Sequence, residues 1–167
     1  MKKPYLLIIG FLFSTIVAAG FSPVQAAGCA LPENATQLAE QAENLINQQR
    51  ARKGRKPLRI DPRLQAAAQA HACDMAVKGY FSHTSPGGSG PKRRVQRQAC
   101  RSGFVAENIA VGQTSAEGVM NSWMSSSGHR KNILVGKGVD RFGLAVVKAG
   151  KAYGHGYAWV LVLARGC

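Results

Sequence analysis

Two imidazoles and one carboxylate are the groups of this sequence whose types and placement could do chemistry together. Glu107 lies in the mostly apolar run 105–111 (VAENIAV). A charge set among residues that favour burial must be paired, hydrogen-bonded or protonated. His129 stands near the end of the stretch 104–134, which reads as one helical pattern with Glu107 and His129 at its opposite ends. His83 comes earlier, in the turn-rich segment 81–86 (FSHTSP). Neutral imidazoles with a carboxylate suit a divalent transition metal, zinc being the default. The same groups can equally form a polar cleft without metal.

If a metal were held, His83 and His129 would be ligands, with Glu107 as a third ligand or as a base toward a bound water. That arrangement would make the chain a hydrolase of a peptide, an ester or an envelope polymer. Catalytic zinc usually takes three protein ligands, so spending Glu107 as the third leaves no separate base. The sequence contains neither a Gly-x-Ser-x-Gly elbow nor a His-Glu-x-x-His motif.

The elements that must position these groups can be read in order. From Thr36 a helical stripe runs through Leu38, Ala42, Leu45 and Gln49, with Ile46 beside it, and Gly54 ends it. Arg50, Arg52 and Lys53 fall in its last turn, where cations complement the helix dipole. Asp61 caps a second helix with Pro62 at its first position, and this helix stops at Gly79. Its apolar stripe, Leu64, Ala67, Ala68, Met75 and Ala76, includes His71, read here as a hydrogen-bonded core histidine rather than a ligand.

Residues 84–103 are rich in glycine and proline and read as a long loop. Lys92, Arg93, Arg94, Arg97 and Arg101 follow the breakers and read as a solvated charged face. No aromatics interleave with these cations, which argues against nucleic acid, while an anionic glycan or membrane surface fits. Ser115 caps a helix whose core face is Val119, Met120, Trp123 and Met124, ended by residues 125–128 just before His129. Two apolar strands follow, 141–148 and 152–164, the second carrying His155 between two glycines. Their apolar character calls for a sheet covered on both faces, hence an α+β layered domain.

Five blocks in fixed order resemble the CAP superfamily, the cysteine-rich secretory, antigen 5 and pathogenesis-related 1 proteins, also called SCP domains. They are Asp74-Met75-Ala76, Tyr80-Phe81-Ser82-His83, Glu107-Asn108-Ile109-Ala110, Trp123-Met124, and Ser127-Gly128-His129-Arg130 with Asn132-Ile133-Leu134. The wording is similar to the small secreted bacterial branch. The resemblance implies an α-β-α sandwich with about three main helices on a short, mainly antiparallel sheet. It also implies a cleft of two histidines and two acidic residues, of which His83, Glu107 and His129 match three. The fourth falls at Ser126, where many eukaryotic members carry Glu. A serine hydroxyl is no general base at neutral pH. Glu117, a candidate replacement, lies about two turns away and more simply complements the helix dipole. The family implies no uniform activity; sterol or lipid binding is one of those proposed among relatives.

The chain opens with Lys2-Lys3, an apolar run and Val24-Gln25-Ala26, so residues 1–26 read as a cleaved secretory signal, 27–35 as a tether and 36–167 as a single domain. The apolar run is too short to span a membrane, and the mature chain contains no transmembrane stretch. An alternative is a lipoprotein acylated at Cys29. Four cysteines, Cys29, Cys73, Cys100 and Cys167, instead suit two disulfides in an oxidising compartment, periplasmic or external, leaving no free thiol for catalysis. Of the three pairings, Cys73–Cys100 with Cys29–Cys167 is preferred, because the second bridge would tie the two termini together. Removing the signal lowers the formal charge from +14 to +12. The expected product is a secreted, monomeric binding module that meets an anionic envelope polymer, glycan or lipid surface.

Overall fold

The computed structural model describes residues 29–136 and 138–167. The signal reading at 1–26 therefore lies outside the described residues. Those residues form five helices and four strands: α1 (Ala35–Ala51), β1 (Arg59–Ile60), α2 (Pro62–Lys78), α3 (Pro91–Arg97), β2 (Val105–Val111), α4 (Ala116–Ser125), α5 (Ser127–Ile133), β3 (Arg141–Lys148) and β4 (Tyr157–Ala164). None of the described helices is long and apolar enough to cross a membrane.

The strands form one mixed sheet in the order β1-β3-β4-β2. β1 runs parallel to β3 and the other pairs are antiparallel. Successive residues of β3 and β4 face opposite layers, and both layers are apolar. Ala145, Val147, Val160 and Val162 pack under α2 and α3. Phe142, Leu144, Val146, Trp159, Leu161 and Leu163 pack under α1, α4 and α5. Burial on both faces explains why these strands read as continuous apolar runs rather than alternating ones. The result is the α-β-α sandwich of an α+β domain, with α1, α2 and α4 as its main helices.

Local rules account for most boundaries. The Asp61 carboxylate accepts a hydrogen bond from the Arg63 amide, Pro62 opens α2, and Gly79 ends it in the left-handed region (φ 69°). At Gly143 a Cβ would lie 2.1 Å from the Leu64 carbonyl carbon, so the start of α2 crosses β3 at backbone contact distance.

Several expectations need correction. The stretch 104–134 is not one helical pattern: Glu107 is in strand β2, and the helix from Ser115 breaks at Ser126, whose backbone is extended (φ −86°, ψ 125°). A new helix, α5, starts at Ser127 and contains His129. The fourth strand begins only at Tyr157, because Lys151–Tyr153 forms a 3-10 turn, and His155 lies exposed in the loop after it. Arg50 does not lie on the surface of its last turn. It is buried in place of Gln49, its Nε donating to the Lys56 carbonyl and its Nη1 to those of Ile133 and Val135.

The disulfides are Cys29–Cys73 and Cys100–Cys167, not the preferred Cys73–Cys100 and Cys29–Cys167. Strand register decides it. Val105 of β2 pairs with Ala164 of β4, so the segment before β2 and the tail after β4 emerge at the same end of the sheet. Ser102 Oγ fastens them there by accepting from the Phe104 and Arg165 amides. At the other end the Ala30 carbonyl accepts from the Lys148 amide, docking the amino-terminal segment instead of leaving it a loose tether. The Cys29–Cys73 bridge uses the sulfur that the lipoprotein alternative would acylate.

Candidate functional site

Strand β2 is an edge of the sheet, and two of its neighbouring side chains reach into opposite layers. Glu107 follows the Ile109 face, toward α2 and α3, and Asn108 the Ala110 face, toward α4 and α5. The free edge is covered by side-chain donors: Trp123 Nε1 to the Ile109 carbonyl and Asn132 Nδ2 to the Glu107 carbonyl. Asn108 then binds α5 directly, its Nδ2 donating to the His129 carbonyl and its Oδ1 accepting from Asn132. This clasp fixes the turn of α5 from which the His129 imidazole projects.

The Glu107 carboxylate is buried and has partners for both oxygens. Oε2 accepts from Arg94 Nη2 at 2.7 Å, and Oε1 from His83 Nδ1 at 2.9 Å. His71 Nε2 stands 3.7 Å from Oε1 while donating to the Ser82 carbonyl at 3.0 Å. Arg94 also holds the loop, donating to the carbonyls of Ser89 and His83. The sequence reading treated Arg94 as part of a solvated face; it is instead buried inside this network.

Proton placement follows from the partners. An acceptor oxygen faces His83 Nδ1, so Nδ1 carries a hydrogen and donates it to Glu107 Oε1. His129 is held below its ordinary pKa by burial and then by the nearby His83. Burial also lowers the pKa of His71, with Arg94 acting in the same sense and Glu107 opposing it. A cleft of about 670 Å³ opens between these groups, lined by His83, Glu107, Ser126, His129, Lys131 and Asn132 among others. Glu117 is exposed and is not among the lining residues, and His155 is likewise absent.

Among the described residues no group of three or more His, Cys, Asp or Glu is arranged to hold a metal ion. Glu107 spends its oxygens on Arg94 and His83, which places it behind the His83 ring rather than beside it. His83 and His129 line the cleft together, while Glu107 is already engaged by Arg94 and His83.

Residues 43–163 match the sequence profile of CAP, the cysteine-rich secretory protein family. The chain belongs to this family. The CAP chain is similar to the uncharacterized protein YkwD of Bacillus subtilis (strain 168), 35% identical over 122 residues that make up 73% of this chain and 47% of that protein. It thus spans about half the length of that relative, and 31% of the membrane protein YlbC of the same organism. An extracellular protein containing an SCP domain from Bacillus anthracis superposes with a TM-score of 0.66 at 29% identity, over 78% of this chain and 41% of that one. An outer surface protein from Borrelia burgdorferi has the same fold, with a TM-score of 0.69 at 20% identity over 78% and 94% of the two chains.

Three residues of this CAP site escaped the sequence reading. Arg94 was discoverable in principle, because a buried Glu107 requires a cation and the 92–101 cluster is rich in them. Nothing local distinguished it from Arg93 or Arg97. Asn108 and Asn132 were visible only as parts of family blocks, since their function is to join two elements 24 residues apart.

Proposed function

We propose that this CAP domain works outside the cytoplasm as a binding module whose recognition face is the His83/His129 cleft. The observation that carries this reading is the double engagement of Glu107. A carboxylate held by Arg94 and His83 orients an imidazole and is not free to take a proton from water. The two imidazoles then face a ligand, or a divalent cation such as zinc held by His83 Nε2 and His129. Two disulfides suit an oxidising compartment. The excess of 22 Lys and Arg over 8 Asp and Glu suits a monomer working against an anionic envelope polymer, glycan or lipid surface.

The test is zinc content and affinity of the mature, tag-free domain beside a His83→Ala/His129→Ala variant. Stoichiometric binding that the variant loses is the expected result. Equal uptake by both proteins would remove the imidazoles from the site. The surface reading is checked by binding to anionic vesicles, which should weaken as salt is added; salt-insensitive binding would overturn it.

A further inference from the structure

The outward edge of β2 is closed at two positions and open at a third. Just past the strand the Gly112 amide donates to the Tyr157 carbonyl, so the even-numbered backbone groups of β2 point to β4 and the odd-numbered ones away from the sheet. Side chains of α4 and α5 close this edge at Ile109 and Glu107, where Trp123 and Asn132 donate to the carbonyls. The closure stops there. At Val105 neither the amide nor the carbonyl has a hydrogen-bond partner among the described residues.

This open edge lies in the imidazole cleft, whose lining follows the strand from Phe104 through Val105 and Ala106 to Glu107. Val105 is half-buried, and Phe104, Ala106 and Val135 give the cleft an apolar side beside it. The edge is also the seam between the two layers of the sandwich. His83 is bonded to Glu107 on the α2 and α3 side, whereas His129 and Lys131 belong to α5 on the other. Lys131 is exposed and has no ion-pair partner among the described residues.

We propose that the cleft takes an acidic peptide in extended form, which adds to the sheet beside β2 by exchanging N–H···O=C bonds with Val105. An unpaired donor and acceptor on one residue of a strand edge are what another strand completes. The added chain turns alternate side chains to the His83 side and the α5 side, so apolar groups meet Phe104 and Val135 and a carboxylate meets Lys131. A glycan has no backbone N–H and C=O row to offer such an edge. At about 670 Å³ the cleft falls within the roughly 300–1,000 Å³ of ordinary ligand pockets, and it holds a few residues of chain, ended where Asn132 covers Glu107. The inference rests on the reading of this cleft as the recognition face.

The experiment is a titration of the intact mature domain, at constant ionic strength, with a blocked hexapeptide alternating valine and glutamate, read by calorimetry and backbone amide exchange. Saturable binding is expected, and the Val105 amide, open to exchange in the free domain, becomes protected. Two further peptides, N-methylated on the valines or on the glutamates, keep every charge and side chain while each loses the N–H groups of one edge. The one methylated on the edge that meets Val105 should bind about tenfold more weakly than the other. Val105→Pro removes an N–H that bonds nothing in the protein, at an outward edge position where proline is tolerated, and should weaken binding roughly threefold to tenfold. Lys131→Glu should weaken it severalfold. The methylated peptides use the unaltered domain, so the outcome does not depend on how V105P folds. Equal affinity of all three peptides would show that charge alone holds them and would sink the proposal. So would a domain that binds zinc through His83 and His129 but no peptide, a result that leaves the cleft reading standing. Peptide-induced changes confined to other faces of the molecule would count against both.

Discussion

The Glu107 carboxylate and the Arg94 guanidinium are nearly excluded from solvent, with side-chain exposures of 1% and 8%. Removing one member leaves the other charged and buried, which costs about 3–5 kcal/mol. Glu107→Gln and Arg94→Met should each destabilise by that order in urea titrations. The double variant should lose clearly less than the sum, because neither charge is then stranded; strict additivity would mean that the pair is not coupled. The neighbouring His71 makes a second prediction. Its folded pKa lies below the ordinary value, so the unfolded chain binds the proton more readily. Stability contributed by neutral His71 is therefore present at and above the unfolded pKa and is lost as pH falls below about 6.5. The groups facing it are Glu107, Arg94, Asp74, the Tyr80 hydroxyl and the Ser82 carbonyl. A His71→Gln variant keeps a donor without a titrating ring. Between pH 7.5 and pH 5.5 it should lose less stability than the wild type, by at most about 1.4 kcal/mol per pH unit. Equal acid sensitivity of the two proteins would assign the effect to other groups.

The elements show why some of this was readable and some was not. Caps and breakers are local, so Asp61-Pro62, Gly79 and Ser115 marked their helices correctly from sequence alone. Strand β2 was hidden because it is buried on both faces, with Glu107 and Asn108 polar toward opposite layers; no alternation survives in VAENIAV to mark it as a strand. The break at Ser126 was hidden because three serines and a glycine signal a helix end without signalling that another helix begins at once. Arg50 misled for a different reason. A cation in a last turn has a sufficient local explanation, and its actual partners, the carbonyls at the end of α5, are 83 and 85 residues away. It thereby ties α1 to the helix carrying His129. Arg50→Met keeps much of the packing but leaves those carbonyls without a donor, and it should cost about 2–4 kcal/mol. Hydrogen exchange should speed up at residues 133–136 before it does in β3 or β4. Unchanged protection there would show that α5 is held by its contacts with β2 alone.

At the scale of the whole molecule, both bridges fasten chain ends to a finished sandwich, and each does so where the sheet has already brought its cysteines together. The termini argument favoured Cys29–Cys167 because it counted free ends without knowing where the strands deliver them. The Val105–Ala164 register sends the carboxyl-terminal tail to Cys100, while the Ala30–Lys148 hydrogen bond brings the amino-terminal segment to Cys73. The closed loops span 44 and 67 residues, and on the chain-entropy estimate each bridge contributes about 4 kcal/mol. The two should nevertheless differ in consequence. Cys100–Cys167 closes the end of the sheet from which the Glu107 strand starts, so a Cys100→Ala/Cys167→Ala variant should lower the melting temperature and also loosen the cleft, seen as broadened His83 and His129 ring signals. Cys29–Cys73 clamps a segment remote from the cleft, so its removal should lower the melting temperature by a similar amount with those ring signals unchanged. Peptide mapping under non-reducing conditions should find the 29–73 and 100–167 links. Recovery of a 73–100 link from the oxidised protein would refute both the register argument and the difference expected between the two variants.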